Sequence, residues 1–316
     1  MLADLLAPEM LVPILQAAVR TGTPILFVCI GEIYAERAGI LNIGLEGMML
    51  VGAIAGFTAA HTIGHSGAVD PTIAGIVGIL AAAVVGGLFA LIHAFVTITL
   101  RADQIVSGIT LTILGTGLSG FFGQPMIGKV GPSFERLAIP GLSELPAIGQ
   151  ILFQQDLMVY LSFVLVPISW WVLYKTHLGL SIRSVGESPK TADSLGVDVT
   201  KIRYGCVVFG GAMAGIAGIM WGLLFRAVIA TTGFLPGIKA FTAAVVGGVG
   251  NLGGAMAGGL SLGGAESLAP LTLLEPLGVD GASQLRDAVS FTLLILVLLI
   301  KPTGLFGERL SSDDRA

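Results

Sequence analysis

Residues 71–100 read PTIAGIVGILAAAVVGGLFALIHAFVTITL, a run without a single Asp, Glu, Lys or Arg. A helix rising 1.5 Å per residue crosses the hydrocarbon of a bilayer in roughly 18–20 residues, so this run is long enough to span it. Five more charge-free runs flank it, at 47–69, 104–128, 157–174, 204–225 and 240–265. A membrane β-barrel would alternate polar and apolar residues, whereas these runs are apolar on every face. The chain is 54% hydrophobic and 11% charged, with a mean hydropathy of +0.92. That leaves too few polar groups to cover a water-soluble surface of this size. The expectation is an all-α, polytopic integral membrane protein with about eight transmembrane helices, some of them broken by glycine or re-entrant. Residues 1–310 read as one membrane domain, followed by a short polar tail at 311–316.

Lys and Arg set the orientation. Lys175, Arg183, Lys190, Lys201 and Arg203 crowd one short interval, so 175–203 is expected in the cytoplasm. Counting crossings from there puts Arg37 and Arg101 inside, and 61–70, 127–156 and 226–239 outside. The tail with Lys301, Arg309 and Arg315 falls inside, which requires an odd number of crossings after Lys239. The simplest solution is a Gly-broken re-entrant hairpin over 240–267 with a last crossing at 284–300. Three full crossings satisfy the charges equally well.

Several patterns carry little chemistry here. Residues 1–13 hold Asp4 and Glu9 but no basic segment, so no secretory leader is expected. Cys29 and Cys206 sit in apolar surroundings and read as small hydrophobes. A net charge of −4 argues against nucleic acid as a partner. Gly248–Gly253 matches GxGxxG but lacks a βαβ setting and a following acidic residue. Gly259–Gly263 matches GxSxG, but none of the four histidines follows it. His61 and His65, four apart near Asp70, have a spacing that could grip a metal from one helical face, yet with no third strong ligand and a loop setting they read as a hydrated turn.

Glycine is more informative, at 46 of 316 residues, about twice the usual share of ~7%. The pairs Gly52/Gly56, Gly211/Gly215, Gly218/Gly222 and Gly254/Gly258 let helix backbones approach closely in lipid. Where glycines cluster with a polar residue, helices can break and present backbone groups to a cavity. Two clusters fit, Asn42–Gly47 and Gly250–Gly254, each containing Asn-x-Gly or its near equivalent at membrane depth. The plain alternative is that Asn42 and Glu46 cap the second helix. Glu32, Glu36, Arg37 and Glu46 lie either at the interface or paired inside the bundle, because a central charge costs about 2.5–3.5 kcal/mol on insertion scales. A proton relay through Glu32 or Glu46 is available, but the other helices offer no evident second buried carboxylate or basic partner. Asn42, Gln104 and Asn251, with Glu46, form the candidate substrate pathway, since neutral amides suit weak, reversible contact with a polar cargo.

The stretch SVGESPKTADSLG, residues 184–196, is a polar island in this apolar chain. Ser188 suits an N-cap, Pro189 the first helical position and Gly196 a left-handed stop. About two turns of helix lie between them, too short to persist unless something holds them. The plain alternative is a solvated, self-capping loop.

Four blocks together carry a resemblance. They are VRTGTPILFVCIGEIYAERAGILNIGLEGMMLVGA (19–53), LRADQIVSGITLTILGTGLSGF (100–121), LSIRSVGESPKTADSLGVDVTKIRYG (180–205) and FTAAVVGGVGNLGGAMAGG (241–259). In that order they resemble the inner-membrane permease subunits of bacterial ABC importers for nucleosides and simple sugars. The broader group includes branched-chain amino-acid and ribose permeases, and ERAGILNIGLEGMM points to its nucleoside branch.

The resemblance implies a multi-pass protein of the cell inner membrane that translocates nucleosides and makes no bonds itself. It implies that Glu187, Ser188, Pro189, Ala192, Leu195 and Gly196 form a coupling helix seated on an ATPase subunit. Further implied partners are a second, different permease subunit and an external substrate-binding protein. GxxxxGK[ST] is absent from the sequence, so ATP and Mg are expected on the ATPase partner and no cofactor on this chain. Simple sugars or branched-chain amino acids are the alternative cargo. The rival class is a proton-coupled secondary transporter or channel.

Overall fold

The computed structural model describes residues 8–65, 69–132, 134–248, 251–269, 285–301 and 303–306. The tail at 311–316, Arg309, Asp4 and Gly250 of the second glycine cluster therefore lie outside the described residues.

Among the described residues six helices are long and apolar enough to cross a membrane; five of them fall on charge-free runs, while the first, which carries Arg20, Glu32 and Glu36, falls on none. They are α1 (Pro8–Arg37), α2 (Leu45–His65), α3 (Pro71–Ala94), α4 (Gln104–Gly123), α6 (Leu157–Lys175) and α9 (Val199–Phe225). Aspartates start four of them: Asp70, Asp103, Asp156 and Asp198 each accept a backbone N–H of the first turn, supplying partners for donors a helix start leaves open. Short α5 (Ile148–Phe153) lies in the loop between α4 and α6, beside a two-stranded ribbon of β1 (Leu137–Ala138) and β2 (Gln154–Gln155). Between α6 and α9 come α7 (His177–Glu187) and α8 (Pro189–Ser194). After α9 come α10 (Phe234–Gly247), α11 (Leu252–Ala269) and α12 (Arg286–Ile300).

The hub is α9, which packs on α1, α2 and α3. Glycine makes this possible: a Cβ on Gly31 would come within 2.9 Å of Gly210 Cα, and Cβ atoms on Gly215 and Gly218 would collide with the backbones of Ala82 and Met49. The predicted pair Gly211/Gly215 therefore works as a packing device. So does Gly254/Gly258, which seats α11 against Gly247 and Ala243 of α10. Cys29 and Cys206 are buried and unbridged. Leu80, Val84, Leu88, Ile113 and Phe121 remain exposed, an apolar girdle suited to lipid. At the end of α6, the Trp170 and Tyr174 rings lie 6.0 Å apart, tilted, near Lys175, whose Nζ lies 5.5 Å from the Trp170 ring, as in an interfacial aromatic belt.

The alternation expected from Lys and Arg is reproduced. At the end expected in the cytoplasm, Arg203 Nε donates to Ala38 O (3.1 Å) and Arg37 Nη2 to Tyr174 Oη (3.4 Å). At the outer end, His61 Nδ1 meets Val130 O (3.0 Å), Gly131 N–H donates to Arg226 O (3.0 Å) and Ser119 Oγ to Ala230 O (2.7 Å).

After Lys239 the structure follows the three-crossing solution rather than the re-entrant hairpin. From Ala230 at the outer end the chain descends without helix until Gly233, in the left-handed region at φ 109°, lies against Met49. Only then does α10 begin. The turn between α10 and α11 lies as deep as the end of the last helix, because Leu305 and Phe306 donate their N–H groups to Val246 O (2.8 Å) and Gly247 O (3.1 Å). α11 then climbs along α1, with Gly263 against Gly22. A non-helical half followed by a helical half thus makes one crossing, and Gly233, where the two meet, is buried.

Candidate functional site at the break between α1 and α2

Between Arg37 and Leu45 the chain turns at Gly39 and climbs back into the bundle before α2 begins. A non-helical stretch at membrane depth needs partners for its backbone groups, and side chains from several helices supply them. From α1, Glu32 Oε1 accepts the N–H of Asn42 (3.2 Å). From α4, Gln104 Oε1 accepts the N–H of Leu41 (2.8 Å). From α3, His93 Nε2 lies 3.3 Å from Leu41 O, while its Nδ1 bonds to Ser107 Oγ at 3.0 Å. A carbonyl oxygen only accepts, so Nε2 carries the proton. Asn42 closes the turn itself: Oδ1 accepts the N–H of Gly44 (3.2 Å) and Nδ2 points at Met48 Sδ (3.4 Å). Beyond the break, Glu46 Oε2 accepts from Thr112 Oγ1 of α4 (3.3 Å), and a Cβ on Gly108 would come within 2.9 Å of Gly44 N.

The lower edge of this break touches the polar island. A Cβ on Gly186, in the last turn of α7, would run into Arg37 O, and Gly39 lies 3.3 Å from Arg203 Nη2 by the same construction. The island proves to be two helices rather than one. α7, unforeseen in the sequence, is amphipathic and buries Ile182 and Val185. α8 covers Pro189–Ser194 with Pro189 in its first turn, and Gly196 takes the left-handed conformation at φ 83°. Ser188 differs slightly from expectation: its Oγ bonds to Thr191 Oγ1 (2.7 Å) rather than to a backbone N–H. Asp198, which opens α9, accepts the N–H of Lys201 (2.9 Å) and pairs with its Nζ (2.9 Å); the backbone bond first of all holds its carboxyl below the usual range.

Placement corrects several expectations. Ala192, expected on the face offered to a partner, is only 2% exposed and anchors α8 to the bundle. The outward face holds Glu187, Lys190, Leu195 and Gly196, with Leu195 79% exposed. Of the pathway residues, Asn42, Glu46 and Gln104 come together around the break. Asn42 is 0% exposed with its amide committed inside the protein, so it shapes the break instead of lining an open passage. Asn251 lies elsewhere, in the turn between α10 and α11, where Oδ1 accepts from Gly254 N and Nδ2 donates to Phe306 O, both at 2.9 Å.

The sequence reading found no second buried carboxylate or basic partner, and the structure contains both. Lys239, expected in the outer loop, sits 5% exposed on α10. Its Nζ bonds to Glu266 Oε1 of α11 (2.9 Å) and Asp287 Oδ1 of α12 (2.7 Å), and Ser290 Oγ also donates to Glu266. The signal was present: Lys239 and Glu266 bracket the charge-free run 240–265. His93 was likewise legible as the one ionisable side chain within 71–100.

The bundle of long apolar helices, with polar groups gathered at the break between α1 and α2 and around Lys239, is that of a polytopic membrane protein. Residues 14–298 match the family described as "Branched-chain amino acid transport system / permease component", and the chain belongs to that family. It is 34% identical over 310 residues to the guanosine ABC transporter permease protein NupQ of Bacillus subtilis, covering 93% of this chain and 92% of that protein. It is 39% identical over 216 residues to a putative glucose ABC transporter permease, TsgC13, of Haloferax volcanii. It is 38% identical over 205 residues to the nucleoside ABC transporter permease NupC of Lactococcus lactis. Those two matches span 63% of each relative's length. The chain is a multi-pass inner-membrane permease subunit of an ABC transporter.

Proposed function

We propose that this permease imports nucleosides, with ATP and Mg bound by a separate ATPase subunit and cargo delivered by an external binding protein. The observation that carries the substrate is the similarity to NupQ along nearly the whole chain. A sugar or branched-chain amino acid is the alternative, since relatives of both kinds align over shorter stretches. A second, different permease subunit completes the assembly in this reading.

The outward face of α8 docks on the ATPase through Glu187, Ser188, Pro189, Leu195 and Gly196. Ala192 holds the helix to the bundle from behind. When the ATPase pair closes on ATP, α8 and α7 move with it, and Gly186 bears on Arg37 while Arg203 carries Ala38. That displacement reaches 38–44 directly. The hydrogen bonds from Glu32, Gln104 and His93 give the segment discrete positions between which an alternating-access change switches. Glu46 and Gln104 are the groups that meet cargo when the seam between α2 and α4 opens; Asn42 and Asn251 act by shaping their breaks.

The test is uptake of labelled guanosine into proteoliposomes holding the reconstituted complex. ATP-dependent uptake, competed by other nucleosides but not by ribose or leucine, is expected. One observation favours the rival: Lys239 with Glu266 supplies the buried ion pair a proton relay needs. Uptake that a protonophore abolishes while ATP is held constant would establish that rival instead.

A further inference from the structure

At the outer end a cavity of about 240 Å³ opens between α1, α6, α9 and the loop before β1. It is separate from the break at 38–44, and the reading above leaves it unused. It is too small for drug-sized ligands, whose pockets start at ~300 Å³, and roomy enough for about eight waters or one small polar group with its attachment.

Its wall is unusual for a membrane protein. Arg20, Arg136 and Arg226 face a single carboxylate, Asp156, over a floor that includes Phe134 and Leu223. Asp156 has little left to give: Oδ1 accepts the N–H groups of Met158 (3.1 Å) and Val159 (3.2 Å) to cap α6. Its Oδ2 forms an ion pair with Arg20, 3.6 Å from Nε and beyond hydrogen-bond distance. Arg20 Nε is a buried donor with no hydrogen-bond partner among the described residues, and such orphans are rare enough to demand an acceptor. Arg226 is fixed at the rim: it ends α9 in the left-handed conformation at φ 55°, and its Nε donates to Gly131 O (3.3 Å). That conformation disfavours a side chain with a Cβ, yet arginine rather than glycine occupies it. Excess guanidinium charge, an orphaned donor and open volume coincide at one place.

We propose that this cavity binds a phosphate-type oxyanion. The arginine fork offers parallel N–H donors matched to two oxygens of one phosphate. The group comes either from a free phosphate-bearing molecule or from a phospholipid headgroup at the outer surface, and the chemistry is the same for both.

The experiment follows thermal unfolding of the purified chain. In phosphate-free maltoside micelles, inorganic phosphate is compared with chloride at matched ionic strength, because generic screening acts equally through both. Saturating phosphate is expected to raise the melting temperature by roughly 5 °C. The shift is expected to vanish in Arg20→Gln and in Arg226→Gln and to persist in Lys190→Gln, at the opposite end of the molecule. If Arg20→Gln fails to fold, Arg226→Gln decides, since it leaves Arg20 beside Asp156. Phosphatidylglycerol nanodiscs without phosphate form the second arm: stabilisation there, with little added by phosphate, assigns the site to a headgroup. Phosphate acting no differently from chloride in the micelles overturns the proposal. So does an Arg226→Gln variant that responds like the parent.

Discussion

Asn42 and Asn251 each turn a side-chain oxygen back on a backbone N–H, that of Gly44 in one case and Gly254 in the other. Around Asn42, groups from α1, α3 and α4 converge on the chain, all of them on short hydrogen bonds without a charged pair. The Asn251 turn is met from outside by the backbone at 305–306, which bonds to Val246, Gly247 and the Asn251 amide, and its helices are fixed again farther along α10, where Lys239 joins α11 and α12. The same local motif therefore serves two designs. One break is held at the break itself by neutral or singly bonded groups that can exchange partners at modest cost. The other is held by a buried ion pair that is expensive to disrupt. The first suits a moving part and the second a fixed one.

The contrast is open to attack by substitution. The largest effect is expected for Lys239→Met, which strands Glu266 in the interior: a stability loss of about 3–5 kcal/mol by chemical denaturation, largely recovered in the double variant Lys239→Met/Glu266→Leu. Asn42→Leu comes next, with a loss of about 2–3 kcal/mol, because it leaves the N–H of Gly44 buried and unanswered. Gln104→Leu removes one acceptor from a half-buried site and is expected to cost about 1–2 kcal/mol. If it meets cargo as proposed, it also lowers guanosine uptake beyond what the loss of folded protein explains. Asn251→Ala removes a cap in a partly exposed turn and is expected to cost about 1 kcal/mol. An Asn251 variant more damaging than the Asn42 variant would erase the distinction between the two breaks.

Most of the fold was legible in the sequence because the solvent leaves so few choices: long charge-free runs must be helices, and the Lys/Arg distribution orders their ends. The glycine pairs were legible for the same reason, since close approach in lipid selects small residues. What escaped was decided by tertiary partners. α7 hides in a polar stretch whose buried Ile182 and Val185 make sense only against the bundle. Ala192 faces inward because of where α8 docks, which no local pattern encodes. Lys239 read as a loop residue because a lone lysine announces neither its burial nor its partner 27 residues away. The outer cavity draws its arginines from three separate parts of the chain, and only the folded bundle brings them together.

The central claim is that the outward face of α8 transmits ATPase motion to 38–44, and Leu195, 79% exposed at the end of that helix, tests it most directly. In the reconstituted complex, Leu195→Asp is measured for melting temperature and for ATP-driven guanosine uptake in parallel. The account predicts an unchanged melting temperature and uptake reduced at least about tenfold, because a carboxylate at an apolar contact costs more than the ~1.4 kcal/mol of one decade. Uptake at the parent rate in a fully folded Leu195→Asp protein would contradict it.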